Sequence, residues 1–378
     1  MVASSHPLTF GFPRMHKEAG ERRDFLPPLV AQIARMGSPV FVERGIGSKL
    51  GLSDDDYLSV SPGVLAVDNE EAFLQDVVMI LRAPEGSYEK LRRGATLVSM
   101  LHFPTRPQRI ALLRTLGLDG SIALDCITDD RGVRLVEDSR AVAWNGLEAA
   151  FDALERTWPG LREPTRRPIR VTILGAGEIG RRAVEAATKY GRIERNDDLM
   201  SRRLRGVEVM TVGRNMTADA PSMRELLRRT DILVDATQRH DPSRPLIPNG
   251  WLEDLPEHAV VCDLAVDPYQ LEAHPPTVRG IEGIPQGDLD QYVFEPDDPA
   301  WDEVASAVRN THRRLVVSCY SWPGVHPLEC MEHYGAQLGP LLQTLIERGG
   351  VDGLREDGGY DERALRRATL RWWHPVGT

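Results

Sequence analysis

Short apolar runs rich in β-branched residues punctuate the chain at 8–12 (LTFGF), 39–43 (PVFVE), 77–81, 96–101 and 121–126. Between them lie stretches whose apolar residues recur at helical spacing, near 28–36, 70–76, 86–93 and 107–116. Apolar runs without polar alternation predict strands buried on both faces, and the helical segments between them predict parallel crossovers. Leu29, Val30 and Ile33 form the inner stripe of the 28–36 helix, which Gly37 closes. Segment 144–157 (WNGLEAAFDALERT) predicts an amphipathic helix ending before Pro159. The Pro- and Arg-rich stretch 159–168 then reads as a connector.

The pattern restarts after the connector. A strand at 169–174 runs directly into Gly175-Ala-Gly177-Glu-Ile-Gly180 and a helix through Tyr190. Further strands are expected at 207–212, 232–235, 259–264 and 316–320, with a helix at 221–229. A long helix at 327–348 precedes a polar, Gly-rich tail. The predicted fold class is α/β, with two Rossmann-like doubly wound domains, a cleft between them, and a discontinuous first domain. Residues 1–145 plus 323–378 make the substrate domain, and residues 146–322 make the dinucleotide-binding domain. A length of 378 residues agrees with two cores rather than one.

Composition narrows the function. The formal net charge of -10 argues against nucleic-acid binding, which rewards a basic face. Cys126, Cys262, Cys319 and Cys330 are scattered, and no His/Cys spacing suits a metal, so reduced thiols and no metal site are expected. The first residues lack the basic-then-apolar pattern of a signal peptide, and no apolar run reaches the ~20 residues of a membrane span. A soluble, cytoplasmic protein is expected. Lysine occurs only at Lys17, Lys49, Lys90 and Lys189, the remaining basic residues being arginine.

The glycine motif carries the first chemistry. Gly175 permits a tight turn, Gly177 lets backbone approach a pyrophosphate, and Gly180 allows the helix to pack on the strand. Glu178 and Ile179 complete the turn at the helix N-terminus, whose free N–H groups suit phosphate. Thr237, just past the 232–235 strand, completes the expected cofactor set. At the end of the 207–212 strand, Gly213 stands where an Asp would bind a ribose 2′-hydroxyl, and Arg214 and Asn215 follow. A guanidinium beside a cleared position suits a 2′-phosphate, so NADP(H) is favoured over NAD(H). The spacing from Gly180 to this strand end exceeds the usual ~20 residues, because an Arg- and Asp-rich stretch at 191–205 is inserted.

Landmarks in the first half extend the picture. Gly11-Phe-Pro13, Lys17 and Glu21-Arg22 precede Pro27. Glu43-Arg-Gly45-Ile-Gly47 leads to Ser53-Asp-Asp-Asp-Tyr57, and Ile80-Leu-Arg82-Ala-Pro84 and Leu101-His102 follow. With Val261-Cys-Asp263-Leu-Ala-Val-Asp267 and Pro323-Gly324, this order resembles the alanine dehydrogenase and nicotinamide nucleotide transhydrogenase N-terminal family, to which lysine-forming saccharopine dehydrogenases are related. The resemblance implies that Arg22, or its neighbour Arg23, holds a substrate carboxylate. It implies that His102 is the acid/base or polarising group, and that Asp267 near the nicotinamide orients an amine or water or helps hold His102.

One departure bears on mechanism. The family places a lysine where this chain has Arg82, which can bind a substrate oxygen but cannot act as a general base. Trp322, in a stretch that reads Asn-x-Pro-Gly in the family, points to a reshaped pocket, and plain alanine is disfavoured as substrate. The implied function is hydride transfer between a nicotinamide and the α-carbon of a 2-amino acid, 2-imino acid or related secondary amine. A transhydrogenase-like component working with another protein, and a non-catalytic dinucleotide-binding regulator, are the alternatives. The expected partners are a small molecule carrying a carboxylate and further copies of the chain in a homo-oligomer.

Overall fold

The computed structural model describes residues 6–15, 19–239 and 241–373, so Lys17 lies outside the described residues. The chain forms two compact units, Met1–Asp138 with His326–Thr378, and Ser139–Val325.

The first unit is built on β1 (Phe10–Phe12), β2 (Val40–Glu43), β3 (Val64–Val67), β4 (Val77–Met79), β5 (Thr96–Ser99) and β6 (Ile122–Ala123). These pair in parallel in the order β3-β2-β1-β4-β5-β6, so the winding direction reverses between β1 and β4. Side chains alternate between two buried cores. Val77, Met79 and Leu81 enter one, and Val78 and Ile80 enter the other. The helix Pro27–Arg35 begins with two prolines, whose fixed φ suits a first turn, and buries Leu29, Val30 and Ile33 as expected.

Several elements differ from expectation for readable reasons. The 86–93 helix is a 3₁₀ segment over Glu85–Lys90, and β3 was hidden in a four-residue run, VLAV, at the sheet edge. The C-terminal stretch is no solvent tail. It contains the helix Tyr360–Ala368, whose Ala364, Leu365 and Ala368 are buried in the core that also receives Cys330, Tyr334, Leu338 and Leu342 of the helix Pro327–Glu347. Its many arginines masked a narrow apolar stripe.

In the second unit, β7 (Ile169–Leu174), β8 (Val207–Val212), β9 (Ile232–Asp235), β10 (Val260–Asp263), β11 (Val293–Phe294) and β12 (Leu315–Ser318) take the order β11-β12-β10-β9-β7-β8. All pairs are parallel except β11 with β12. Ile232, Val234, Val260, Cys262, Leu315 and Val317 face one core, and Leu233, Val261 and Val316 face the other. The inserted stretch before β8 forms the helix Ile193–Ser201, anchored by buried Leu199 and by Arg195, which donates to the carbonyl of Tyr190 at 2.8 Å. Trp322 is packed in the unit's core, its indole N–H donating to Asp263 O at 2.8 Å, so its bulk fills core space rather than lining a pocket. No helix among the described residues is long and apolar enough to cross a membrane.

The N-terminal edge of this sheet is tied by one carboxylate. Fully buried Asp231 accepts from Arg167 Nη1 and Nη2 at 2.6 and 2.7 Å, from the Arg170 N–H at 2.8 Å, and contacts His258 Nε2 at 2.8 Å. Burial opposes its ionisation, but these bonds outweigh it and hold the carboxyl below the ordinary carboxylate value. Its contribution is therefore present above that ordinary value and is lost as pH falls through the lowered native one. Asp231→Ala should cost about 2–3 kcal/mol, since charge-assisted bonds are lost while the half-exposed Arg167 rehydrates, as urea unfolding would read.

Candidate active site and dinucleotide turn

In a parallel sheet all strands end on one edge, and the first unit gathers its candidate chemistry there. The loop after β1 carries Glu21, Arg22 and Arg23. Glu21 is fully buried, and its Oε1 accepts from the backbone N–H groups of Arg22 and Arg23 at 3.1 and 3.2 Å. Arg23 grips the same carboxylate through Nε at 2.8 Å and Nη2 at 2.6 Å. Arg82, just past β4, brings Nη1 to 3.6 Å from Glu21 Oε2. Burial alone would raise the Glu21 pKa, but Arg23 and Arg82 overcome it and keep the carboxyl below its usual value. Two guanidiniums thus converge on one buried anion. Arg22, by contrast, is exposed, while Arg23 is buried.

The loop is pinned from below. Asp24 accepts from the Met15 and Gly47 N–H groups at 2.9 and 3.0 Å, and Tyr57 donates its hydroxyl to Phe25 O at 2.9 Å. Ser99 joins the neighbouring strand ends, accepting from the Ala83 N–H at 3.1 Å and donating to Leu81 O at 3.3 Å.

His102 follows β5 and is held in a left-handed conformation at φ 53°, ψ 45°. Such a conformation costs a non-glycine residue on the order of 1–3 kcal/mol and persists only where its surroundings impose it. Here Arg109 Nη1 holds Leu101 O at 3.0 Å, and the His102 N–H donates to Asp125 Oδ1 at 3.1 Å. The imidazole is turned so that Nδ1 lies 3.2 Å from Asp125 Oδ2. A carboxylate only accepts, so Nδ1 carries the hydrogen in this contact. Burial raises the Asp125 pKa, and the bonds from His102 reverse that and keep it ionised below the usual range. Sequence reasoning missed Asp125. The signal was available, since it stands at the end of β6, the next parallel strand after the one that carries His102.

In the second unit the glycine turn has the geometry its spacing implied. Gly175 adopts φ +96°, and a Cβ there would fall 2.7 Å from Ala236 O. At Gly180 a Cβ would fall 2.2 Å from Gly175 O, so only glycine lets the helix Glu178–Thr188 start this close to β7. At Gly177 a Cβ would meet nothing, and no side chain caps the helix. Open backbone at a helix N-terminus is what a pyrophosphate requires, and the residues fit a dinucleotide. Glu178 is occupied on the surface by Arg181 and Arg182, and Ile179 is half-buried behind the turn.

The neighbouring loops converge on this turn. The Gly175 N–H donates to Val212 O at 3.0 Å and the Ala236 N–H to Leu174 O at 3.0 Å. Gly213, Arg214 and Asn215 are exposed beside it, and Gly213 has open space where a side chain would be. Thr237 faces inward, donating N–H and Oγ1 to Asp235 Oδ1 at 3.0 and 2.6 Å.

A polar row lies beneath, at the ends of β9, β10 and β12. Asp235, Asp263 and Ser318 are in register and buried, and Arg279 reaches in to bond Asp263 Oδ2 and Ser318 Oγ, each at 2.8 Å. Arg279 Nε also holds Asp267 O at 3.1 Å. Asp267 is paired with Arg239, whose Nη2 is 2.6 Å from Oδ2. Between them, Val266 sits at φ 53°, a left-handed conformation that β-branched residues rarely adopt. Within this unit the partner of Asp267 is an arginine, and the carboxylate that orients His102 is Asp125.

Comparisons with known proteins bear on the family and the fold. The profile described as "Alanine dehydrogenase/PNT, N-terminal domain" matches residues 12–139, and "Alanine dehydrogenase/PNT, C-terminal domain" matches residues 157–270. The chain belongs to this family. It is a nicotinamide-dinucleotide-dependent oxidoreductase of the amino-acid dehydrogenase type. Alanine dehydrogenase of Mycolicibacterium smegmatis is 26% identical over 272 residues, covering 69% of this chain and 73% of the relative. The NAD(P) transhydrogenase subunit alpha of Cereibacter sphaeroides is 26% identical over 295 residues, 68% of this chain and 55% of that one. A solved L-alanine dehydrogenase superposes with a TM-score of 0.72 at 20% identity, covering 98% of both chains, a likeness of fold.

The acidic row has a consequence for pH. Burial, with the Asp263 charge adding to it, pushes the Asp235 carboxyl up to about 7, against the bonds from Thr237. A raised carboxyl means the folded state holds the proton, so this stability is full below the ordinary value of 3.8 and is lost as pH rises through about 7. Asp235→Asn keeps the shape without the ionisation. Its melting temperature should match the parent at acid pH and exceed it at pH 8 by a few degrees, about 2–4 °C per kcal/mol for a unit of this size.

Proposed function

We propose that the chain interconverts a 2-amino acid, or a related secondary amine, with its 2-imino acid, with the substrate carboxylate held at the Glu21-oriented arginines. The observation that supports this reading is the convergence at adjacent strand ends of a guanidinium cluster and a carboxylate-oriented imidazole. Arg82, partly accessible and 3.6 Å from Glu21, offers a planar fork to the carboxylate, and Arg23 backs it. Arg22, exposed one residue away, attracts the anion. A bound nicotinamide supplies or accepts the hydride.

Arginine at position 82 binds but does not titrate, so proton transfer falls to His102. Asp125 fixes its tautomer and stabilises the imidazolium when it forms. Asp267 is the acidic group that meets the substrate nitrogen. Several relatives are named alanine dehydrogenase, which makes alanine the first amino acid to assay. The change from lysine to Arg82 favours a substrate other than alanine itself.

His102→Ala should lower kcat about 10²- to 10⁴-fold without weakening cofactor binding, the range for loss of a general acid/base. Arg82→Gln should act mainly on the KM of the carboxylate substrate, by about 10- to 100-fold, the worth of a charge-assisted bond. Wild-type turnover in the His102 variant would remove the assigned role. For the cofactor, Gly213 and Arg214 support NADP(H) over NAD(H). Nicotinamide fluorescence titrations should show tighter NADPH than NADH binding, with Arg214→Ala narrowing the gap. Tighter NADH binding would reduce Arg214 to a surface residue.

A further inference from the structure

Arg239 is a built feature that the reading above leaves without a task. It stands four residues past the end of β9, and its side chain is only 4% exposed, whereas that of Asp267 is 35% exposed. The guanidinium holds Asp267 Oδ2 through Nη2, which also donates to Val278 O, while Nη1 donates to Arg244 O at 2.9 Å. One side chain thus links the loop after β9 to the loop after β10 and fixes one oxygen of the carboxylate. The main chain of Asp267 is fixed independently. Arg279 Nε holds its carbonyl, and the Val266 N–H donates to Asp263 Oδ1 at 2.9 Å to hold the left-handed turn before it.

A surface aspartate in a simple loop needs none of this. A strained β-branched residue and the buried Arg279 fix the main chain here while the buried Arg239 holds the carboxylate, and strain of this kind is retained where direction matters. We propose that Arg239 is a positioning residue for Asp267, clamping Oδ2 so that Oδ1 is presented to a cationic substrate nitrogen, an ammonium or iminium. The proposal rests on the reading of Asp267 as the group that meets that nitrogen.

The test uses the full chain with the fastest pair found in a screen of 2-oxo acids and amines, pyruvate with ammonium included. KM values for amine and oxo acid are measured separately in Asp267→Asn, Arg239→Gln, Arg239→Lys and the double variant Asp267→Asn/Arg239→Gln. Cofactor affinity by fluorescence and melting temperature are measured alongside. Positioning predicts that Asp267→Asn and Arg239→Gln each raise the amine KM tenfold or more, with oxo-acid KM and cofactor affinity within about twofold. Arg239→Lys should recover most of the loss, and the double variant should be no worse than Asp267→Asn, because the two act as a unit.

If Asp267→Asn is impaired but Arg239→Gln is not, the clamp is overturned and the reading of Asp267 stands. If Arg239→Gln raises both KM values together with a lowered melting temperature, Arg239 is a loop staple and the proposal fails. If Asp267→Asn is unimpaired, or no pair turns over, the reading of Asp267 falls and the proposal with it.

Discussion

The constraint on which everything else depends is direction. A doubly wound parallel sheet places the C-terminal ends of all its strands on one edge, and the winding reversal opens a gap there between two loops. In the first unit this puts the Glu21 loop, Arg82, His102 and Asp125 at the ends of β1, β4, β5 and β6. In the second it puts the glycine turn, Gly213, Thr237 and Asp267 at the ends of β7, β8, β9 and β10. Groups scattered over some 250 positions of sequence become local within each unit because the strands run the same way.

Polar groups at those ends are handled by pairing rather than by exposure. Buried charge is costly unless matched. Glu21 is matched by two arginines, Asp263 by Arg279, Asp267 by Arg239, and Asp125 by an imidazole. Asp235 is the exception: among the described residues it has only Thr237 as a donor, and its second oxygen is buried without a bond. The strained conformations fall in the same places. Among the described residues, the left-handed non-glycine positions that do not close an α-helix are His102 and Val266, each adjoining or bearing a candidate site group.

The arginine-rich composition shapes the division of labour. Arginine keeps its charge at any accessible pH and offers planar, directional donors. It therefore suits holding and aiming rather than proton exchange. Arg82 fits that arrangement, since its Nη1 lies 3.6 Å from Glu21 Oε2.

What the sequence determined by itself follows from local rules. Strand β7, the glycine turn and its helix were legible because the motif is contiguous and Gly180 packs against Gly175 O five residues earlier, although Gly175 itself is also closed in by Ala236 from the end of β9. Strand residues at 232–235 were legible as a short β-branched apolar run, and those at 207–212 as a β-branched run with polar residues interleaved, both too short for a helix. His102, Arg82 and the family were legible because their motifs are contiguous. Tertiary structure decided what depends on partners distant in sequence. Asp125 became the orienting carboxylate because β6 pairs with β5, and the ion pair of Arg239 with Asp267 spans 28 residues. The choice between Arg22 and Arg23 as the buried member turned on which side chain faced Glu21. The helix Tyr360–Ala368 was invisible for the same reason, since its few apolar residues gain meaning only against a core assembled from the other end of the chain. Local sterics are written in neighbouring residues, whereas the pairing of buried charges is fixed only when the sheet brings its ends together.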